Sequence, residues 1–274
     1  MALQDYYNTG DDGIFSVYGV AGSPRGLQGQ GFKASSAYDI KSVKLLLYKE
    51  GTPGIVTVSL YAVDGSQYPI DEILASGTIN GNDLTTDTDG EWCEITFSSP
   101  HTLVSGTTYI IIVSCPGWKL QWRVDTGGGY ADGKAISSTN GGTSWYDPNS
   151  GLSDLMFETD DGLPKEPTTP SPGNGVTNVV LDQATITWVD GGEGETYAAT
   201  SYDVWYGENE AGLTRVSEGQ EELSFTISGI DYGSPFDYVV SRTWRIDAIN
   251  AAGTTTGYIW TFTTIVFDPP QVTY

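Results

Sequence analysis

One histidine, two cysteines and two methionines are all that this chain of 274 residues holds of those types. A Ser–His–Asp or Cys–His relay needs a base, and His101 is the only imidazole. It stands in Ser99-Pro-His-Thr-Leu103, with no Gly-x-Ser-x-Gly elbow anywhere in the chain. A zinc site built from His and Cys fails for the same scarcity. There is no Gly-x-x-x-x-Gly-Lys phosphate loop and no Gly-x-Gly-x-x-Gly opening a helix. Carboxylates are plentiful, but no recognisable pair flanks a cleft, so glycosidase chemistry gains no support. The sequence therefore predicts a protein that is not an enzyme, with no cofactor and no metal site.

Positive charge is the next shortage. Twelve Lys and Arg face 35 Asp and Glu, a formal net charge of −23 that both halves share. Such a surface repels nucleic-acid phosphates and anionic lipid, which excludes both as partners. Long apolar runs are missing as well. The longest, Tyr109 to Val113, is far too short to cross a bilayer. The opening Met-Ala-Leu-Gln-Asp-Tyr-Tyr-Asn carries neither a basic n-region nor an apolar h-region, so it does not read as a secretory signal. Cys93 and Cys115 alternate with core-facing positions of two strands and read as buried free thiols.

What is abundant is the stuff of sheets: 12% aromatics and 35 Gly, with frequent Thr, Val, Ile and Tyr. A stretch with four prolines and three glycines, residues 162–175, cannot continue a helix or a central strand. It divides the chain into a module at 1–161, a Pro/Gly-rich linker at 162–175, a second module at 176–264 and an extended arm at 265–274. The prolines favour extended backbone, so the linker reads as a semi-rigid spacer.

In the first module, strand signals recur from about residue 14 between clusters of Gly, Asp, Asn, Ser and Pro. Ile40-Lys-Ser-Val-Lys-Leu-Leu-Leu-Tyr48, a Gly-Thr-Pro-Gly turn and Ile55-Val-Thr-Val-Ser-Leu-Tyr-Ala-Val63 form a strand pair, followed by Ile-Leu-Ala-Ser-Gly. Leu103-Val-Ser-Gly-Thr-Thr-Tyr-Ile-Ile-Ile-Val113 and Asp154-Leu-Met-Phe-Glu158 close the series. Over about residues 14–160 this pattern resembles the jelly-roll modules of bacterial surface and phage virion proteins, kin in form to carbohydrate-binding modules. The aromatics Trp118, Trp122, Tyr130, Trp145 and Tyr146 gather before the last strand and are the candidate carbohydrate-binding residues, because aromatic faces stack on sugar rings. Trp118, Leu120 and Trp122 alternate onto one strand face, so packing is the competing reading. The acidic pairs Asp11-Asp12, Asp87-x-Asp89 and Asp160-Asp161 fall in expected turns and lack the spacing of a calcium loop.

In the second module, Ala184-Thr-Ile-Thr-Trp188 alternates with Trp188 inward, and Ser201-Tyr-Asp-Val-Trp-Tyr-Gly207 and Thr243-Trp-Arg-Ile-Asp-Ala-Ile-Asn250 follow as further strands. About seven short strands in about 95 residues suit a Greek-key sandwich. These motifs resemble fibronectin type III domains. One departure is that the position expected to carry the corner tyrosine holds Arg242, with Tyr238 one turn earlier.

The fold class expected is thus all-β: an N-terminal jelly-roll sandwich and a C-terminal fibronectin-type, immunoglobulin-like sandwich. The function expected is that of a virion structural or attachment protein of a tailed phage, as a capsid decoration, head-fibre or tail-associated protein. Its partners would be other virion proteins, copies of itself and cell-surface polysaccharide. The alternative is a carbohydrate-binding or adhesion protein of a bacterial surface or secreted by the cell.

Overall fold

A computed structural model describes residues 3–19, 26–180, 185–194, 196–227 and 239–265. The chain forms two compact units, one spanning Leu3–Asp161 and the other carrying the residues from Gly162 onward. Both are all-β, and among the described residues the only helices are two single 3-10 turns.

The first unit begins with β1 (Leu3–Tyr7), β2 (Gly13–Val17), β3 (Leu27–Lys33) and β4 (Tyr38–Lys49). It continues through β5 (Ile55–Val63), β6 (Pro69–Asn80), β7 (Glu91–Leu103) and β8 (Thr108–Ser114). It closes with β9 (Leu120–Asp125), β10 (Ala135–Ser138), β11 (Asp154–Leu155) and β12 (Phe157–Asp160). One sheet is built around β4, with β7 along one edge and β12 and β9 sharing the other. β1, β2 and β11 extend that sheet beyond β12 and β9. The other sheet has the order β10-β3-β8-β5-β6, antiparallel throughout.

Period-two alternation turns Ile40, Val43, Leu45, Leu47, Ile95, Phe97, Leu120, Trp122 and Phe157 of the first sheet inward. They meet Phe32, Val56, Val58, Leu60, Tyr109, Ile111 and Val113 of the second, a sandwich core. β8 is apolar on both faces. Its alternate residues Ile110 and Ile112 point outward, where they form a smaller buried cluster with Ile136 of β10. Residues 70–75 lie within strand β6. Asp160 and Asp161 are buried at the end of β12 rather than lying in a solvated turn.

The second unit comprises β13 (Thr168–Ser171), β14 (Val176–Val180), β15 (Thr185–Val189) and β16 (Ser201–Gly207). β17 (Thr214–Gln220), β18 (Ser224–Thr226), β19 (Val239–Asn250), β20 (Gly253–Thr255) and β21 (Ile259–Ile265) follow. A three-stranded sheet, β13-β15-β18, faces a six-stranded one, β14-β21-β19-β16-β17, with β20 on β19. β14 joins β21 in parallel and the other pairs are antiparallel. Ile186, Trp188, Tyr202, Val204, Trp244, Ile246, Trp260 and Phe262 fill the space between them. On the outer face Arg245 grips Asp247 through two hydrogen bonds and lies 4.8 Å over the Trp205 ring. Arg242 is buried on the Phe262 side and reaches Glu208 at 3.6 Å. Tyr238 and the arm beyond Ile265 lie outside the described residues.

Residues 162–175 differ from the spacer expected. Thr168 and Ser171 pair with Val189 and Thr187, which makes β13 the edge strand of the three-stranded sheet. An edge is where Pro170 is tolerated, since its missing N–H leaves no gap in a ladder. Asn250 Nδ2 donates to the Gly162 carbonyl at 2.9 Å, and Thr255 Oγ1 donates to that of Pro164 at 2.6 Å. The proline-rich stretch is thus part of the second unit.

Asn250 also donates to the Tyr197 carbonyl and accepts from the N–H groups of Ala252 and Gly253. Asn250→Ala strands these partners, and the expected loss is about 1–3 kcal/mol. Urea unfolding checks it: the second unit's midpoint falls and proteolysis within 162–170 accelerates.

Candidate functional site

The five aromatics singled out by sequence do not form one surface. Trp122 is fully buried in the first unit's core, and its indole N–H donates to the Met156 carbonyl at 2.8 Å. It is therefore corrected from a carbohydrate-binding residue to a core residue, since no ligand reaches a ring with no exposed surface. Trp145 packs on the outer face of the five-stranded sheet against Ile110, Ile112 and Ile136, and serves as a roof. Tyr146 next to it exchanges two backbone hydrogen bonds with Ser137, and its ring is exposed. Tyr130 is half-buried, with its ring edge-on to Phe157 at 5.4 Å and tilted against Tyr7 at 5.8 Å. Trp118 alone of the three tryptophans stands 49% exposed.

Trp118 is held firmly. Its ring lies 5.8 Å from that of Tyr18, tilted by 54°, a partner the sequence reading missed because it lies a hundred residues away. Trp118 N–H donates to Thr52 O, Gly117 N–H to Pro53 O, and Glu50 N–H to Lys119 O. Lys119 Nζ meets the Glu50 carboxylate at 2.8 Å, and this pair holds Glu50 below its ordinary carboxylate range. The two loops approach so closely that a Cβ on Gly117 would sit 2.0 Å from Thr52 O. A Cβ on Gly51 would sit 2.5 Å from Trp118 O. Lys119 itself adopts φ 59°, a left-handed conformation costly for a residue with a Cβ. That twist explains why Trp118 leaves the face shared by Leu120 and Trp122. The chemistry on offer is a pre-organised aromatic platform, suited to the C–H face of a sugar ring.

Tyr130 belongs to a second feature at the other end of the same strands. A hollow of about 430 Å³ opens between β1, the end of β3, the turn before β8 and the loop after β9. Tyr6, Lys33, Ser35, Tyr130 and Asp132 line it together with Asp5. Its volume falls within the range of about 300–1,000 Å³ usual for small-molecule sites. Sequence gave no sign of it, because four segments far apart in the chain close around it. Lys33 ends β3 opposite Thr108, whereas Tyr18 pairs with Gly26 just before β3 begins. Seven residues of β3 therefore separate hollow and platform, roughly 20 Å of strand.

Nearby, Tyr7 donates its hydroxyl to Asp125 Oδ2 at 2.5 Å. That bond, with burial and the charge of Asp125 adding to it, pushes the phenol up to about 12. Burial raises Tyr38 and Tyr130 in the same direction. Burial also pushes the Cys93 thiol up to about 12 and raises Cys115; both cysteines are free. His101 lies in β7, edge-on to Tyr109 at 6.3 Å. Asp87 and Glu91 accept backbone N–H groups of their own turn. Among the described residues no cluster of three or more His, Cys, Asp or Glu is arranged to hold a metal ion. No helix among them is long and apolar enough to cross a membrane.

Fold and site together define an all-β protein of two sandwich units with an exposed aromatic platform on the first. No family model matches the chain, and no curated protein matches it. Among solved structures it is similar to the β-1,2-glucanase from Parabacteroides distasonis, with 8% identity and a TM-score of 0.23. That alignment covers 97% of this chain and 37% of the glucanase, so the chain spans little more than a third of it. It is also similar to the tripod (BppUct-A-L) from the baseplate of bacteriophage Tuc2009, with 15% identity and a TM-score of 0.20. There the alignment covers 86% of this chain and 72% of the tripod chain.

Trp122→Ala is expected to lower stability by about 3–5 kcal/mol, the range for emptying a large aromatic site in a core. Trp118→Ala, at an exposed position, is expected to change it by less than about 0.5 kcal/mol. Equilibrium unfolding in urea separates the two. The pH dependence of stability has a definite sign. A phenol whose folded value is raised favours the native state fully below its unfolded value of about 10, and that contribution is lost as pH rises toward 12. Urea midpoints measured from pH 8 to pH 11.5 should therefore fall, and Tyr7→Phe should fall less steeply from a lower starting point.

Proposed function

We propose that this chain is a non-enzymatic structural and attachment protein of a tailed-phage virion, a decoration, head-fibre or tail-associated component that holds host-surface glycans weakly through many copies. The observation that carries the reading is the Trp118–Tyr18 platform: a half-exposed indole fixed by three backbone hydrogen bonds, an ion pair and a left-handed lysine. Exposed aromatic surface ordered at such conformational cost supports a ligand contact at this position. The resemblance of the first unit to virion and carbohydrate-binding jelly rolls, and of the second to fibronectin type III domains, supports the setting. A net charge of −23 suits crowding on a particle surface, because like-charged copies do not stick to one another. Single sites of this kind are weak, and repetition raises their avidity by about 10²–10⁴.

Two measurements test the proposal. On a glycan array with the protein displayed on beads, the wild type is expected to retain glycans and Trp118→Ala to lose about tenfold in apparent affinity. Equal retention by both would remove the platform from the argument. Gold-labelled antibody on purified particles in negative stain should decorate virions. Label confined to cell envelopes would instead assign the same platform to a bacterial surface adhesin.

A further inference from the structure

The hollow at the Lys33 end of β3 is chemically unlike the platform. Asp5 lines it with only 6% of its surface exposed. Among the described residues its two carboxylate oxygens accept neutral donors, the Ser35 N–H at 3.0 Å and the Tyr38 hydroxyl at 2.8 Å. Among the described residues no ion pair reaches Asp5, so a deeply buried carboxylate stands beside an open hollow without a counter-cation. Buried charges are ordinarily paired with an opposite charge or a metal, and a carboxylate has about four acceptor positions. Asp132 adds a second, exposed carboxylate to the lining, against the single ammonium of Lys33. The lining therefore keeps an excess of negative charge, within a chain that is acidic overall.

The other groups favour a polyhydroxylated ligand. Tyr6 is among the lining residues and stands 49% exposed, which makes an aromatic ring available there. The Ser35 hydroxyl also lines the hollow, and the Ser105 hydroxyl donates to the Ser35 carbonyl, which fixes the two loops together. Gly106 N–H to Ala34 O and Ala34 N–H to Thr107 O add to that clamp, so the wall is set before any ligand arrives.

We propose that this hollow is a second saccharide site, selective for a sugar that carries a free amino group. The ammonium faces Asp5 and Asp132, the ring lies against Tyr6, and the hydroxyls meet Ser35 and Lys33. Acidic sugars are excluded by the two carboxylates, and N-acetylation removes the charge that they select. The inference extends the glycan-holding reading, yet its test does not depend on Trp118.

The experiment uses the full chain, labelled with ¹⁵N and titrated with glucosamine, glucose and N-acetylglucosamine at pH 6.5. Glucosamine is expected to shift the amides of Tyr6, Ser35 and Asp132 and to bind about fivefold more tightly than the two uncharged sugars. Tyr6→Ala and Asp132→Asn, both at exposed positions, should abolish that preference while the melting curve stays in place. Trp118→Ala should leave it untouched, so failure of the platform and failure of the hollow are told apart. Equal affinity for the three sugars would overturn the proposal, as would glucosamine shifts that survive Asp132→Asn. Methylamine producing the same shifts at the same concentration would overturn the saccharide part, since the ring would then contribute nothing.

Discussion

The first unit depends on the junction filled by Trp122. Residues 154–160 run as one stretch, but the first two pair with β9 and the last four with β4. Met156 sits at the change of partner. Its carbonyl accepts the Trp122 indole N–H, and its own N–H donates to Arg123 O. Trp122 also stands opposite Leu47 of β4, so one side chain plugs the point where three strands meet. A buried carbonyl left unpaired at a change of partner would cost about 1–3 kcal/mol, and the indole is what satisfies it. The chain between β9 and β11, which carries the Tyr130 loop and the Trp145 roof, rejoins this sheet at that junction.

That dependence shows what a sequence can and cannot reveal. Alternation identified the inward faces of β7 and β8, the strands beside Cys93 and Cys115, because a half-buried strand writes its geometry into every second residue. It failed one residue before β9. Trp118, Leu120 and Trp122 share a parity, yet the first is exposed and the other two are buried. The cause is the φ of 59° at Lys119, and a lysine gives no local sign of a left-handed turn as a glycine would. What fixes Lys119 is the docking of the 117–119 loop on residues 50–54, a contact between segments nearly seventy residues apart. The linker misled for the opposite reason. Its prolines do enforce extended backbone, but extended backbone serves equally as a spacer or as an edge strand, and only the partner, Val189, decides which.

The two faces of β8 raise a related point. Ile110 and Ile112 lie outside the main core and would be exposed apolar surface without cover. Trp145 and Tyr68 provide that cover, and Lys134 stands 4.8 Å over the Tyr68 ring while donating to Ser66 O. An aromatic outside a strand is thus no sign of a ligand by itself. Of the three tryptophans in this stretch, Trp145 roofs a sheet, Trp122 within β9 plugs a junction and Trp118 stands in solvent. Burial and the means of holding the ring separate these roles, and neither is a property of the local sequence.

With both the platform and the hollow holding sugar rings as proposed, the distance between them would matter more than the strength of either. A platform fixed by backbone hydrogen bonds and a hollow clamped by turn contacts lie at opposite ends of the same pair of strands. A β-sandwich core does not stretch, so the roughly 20 Å between them is a fixed quantity. A polymer that engages both ends must present its rings at that separation, and a flexible chain that misses it gains no avidity. Selectivity for a repeating polysaccharide would then reside in a length, set by seven residues of β3, rather than in any single tight contact. Weak stacking and weak charge recognition are compatible with specific attachment on these terms, because the rigid sandwich supplies the spacing that the individual sites lack.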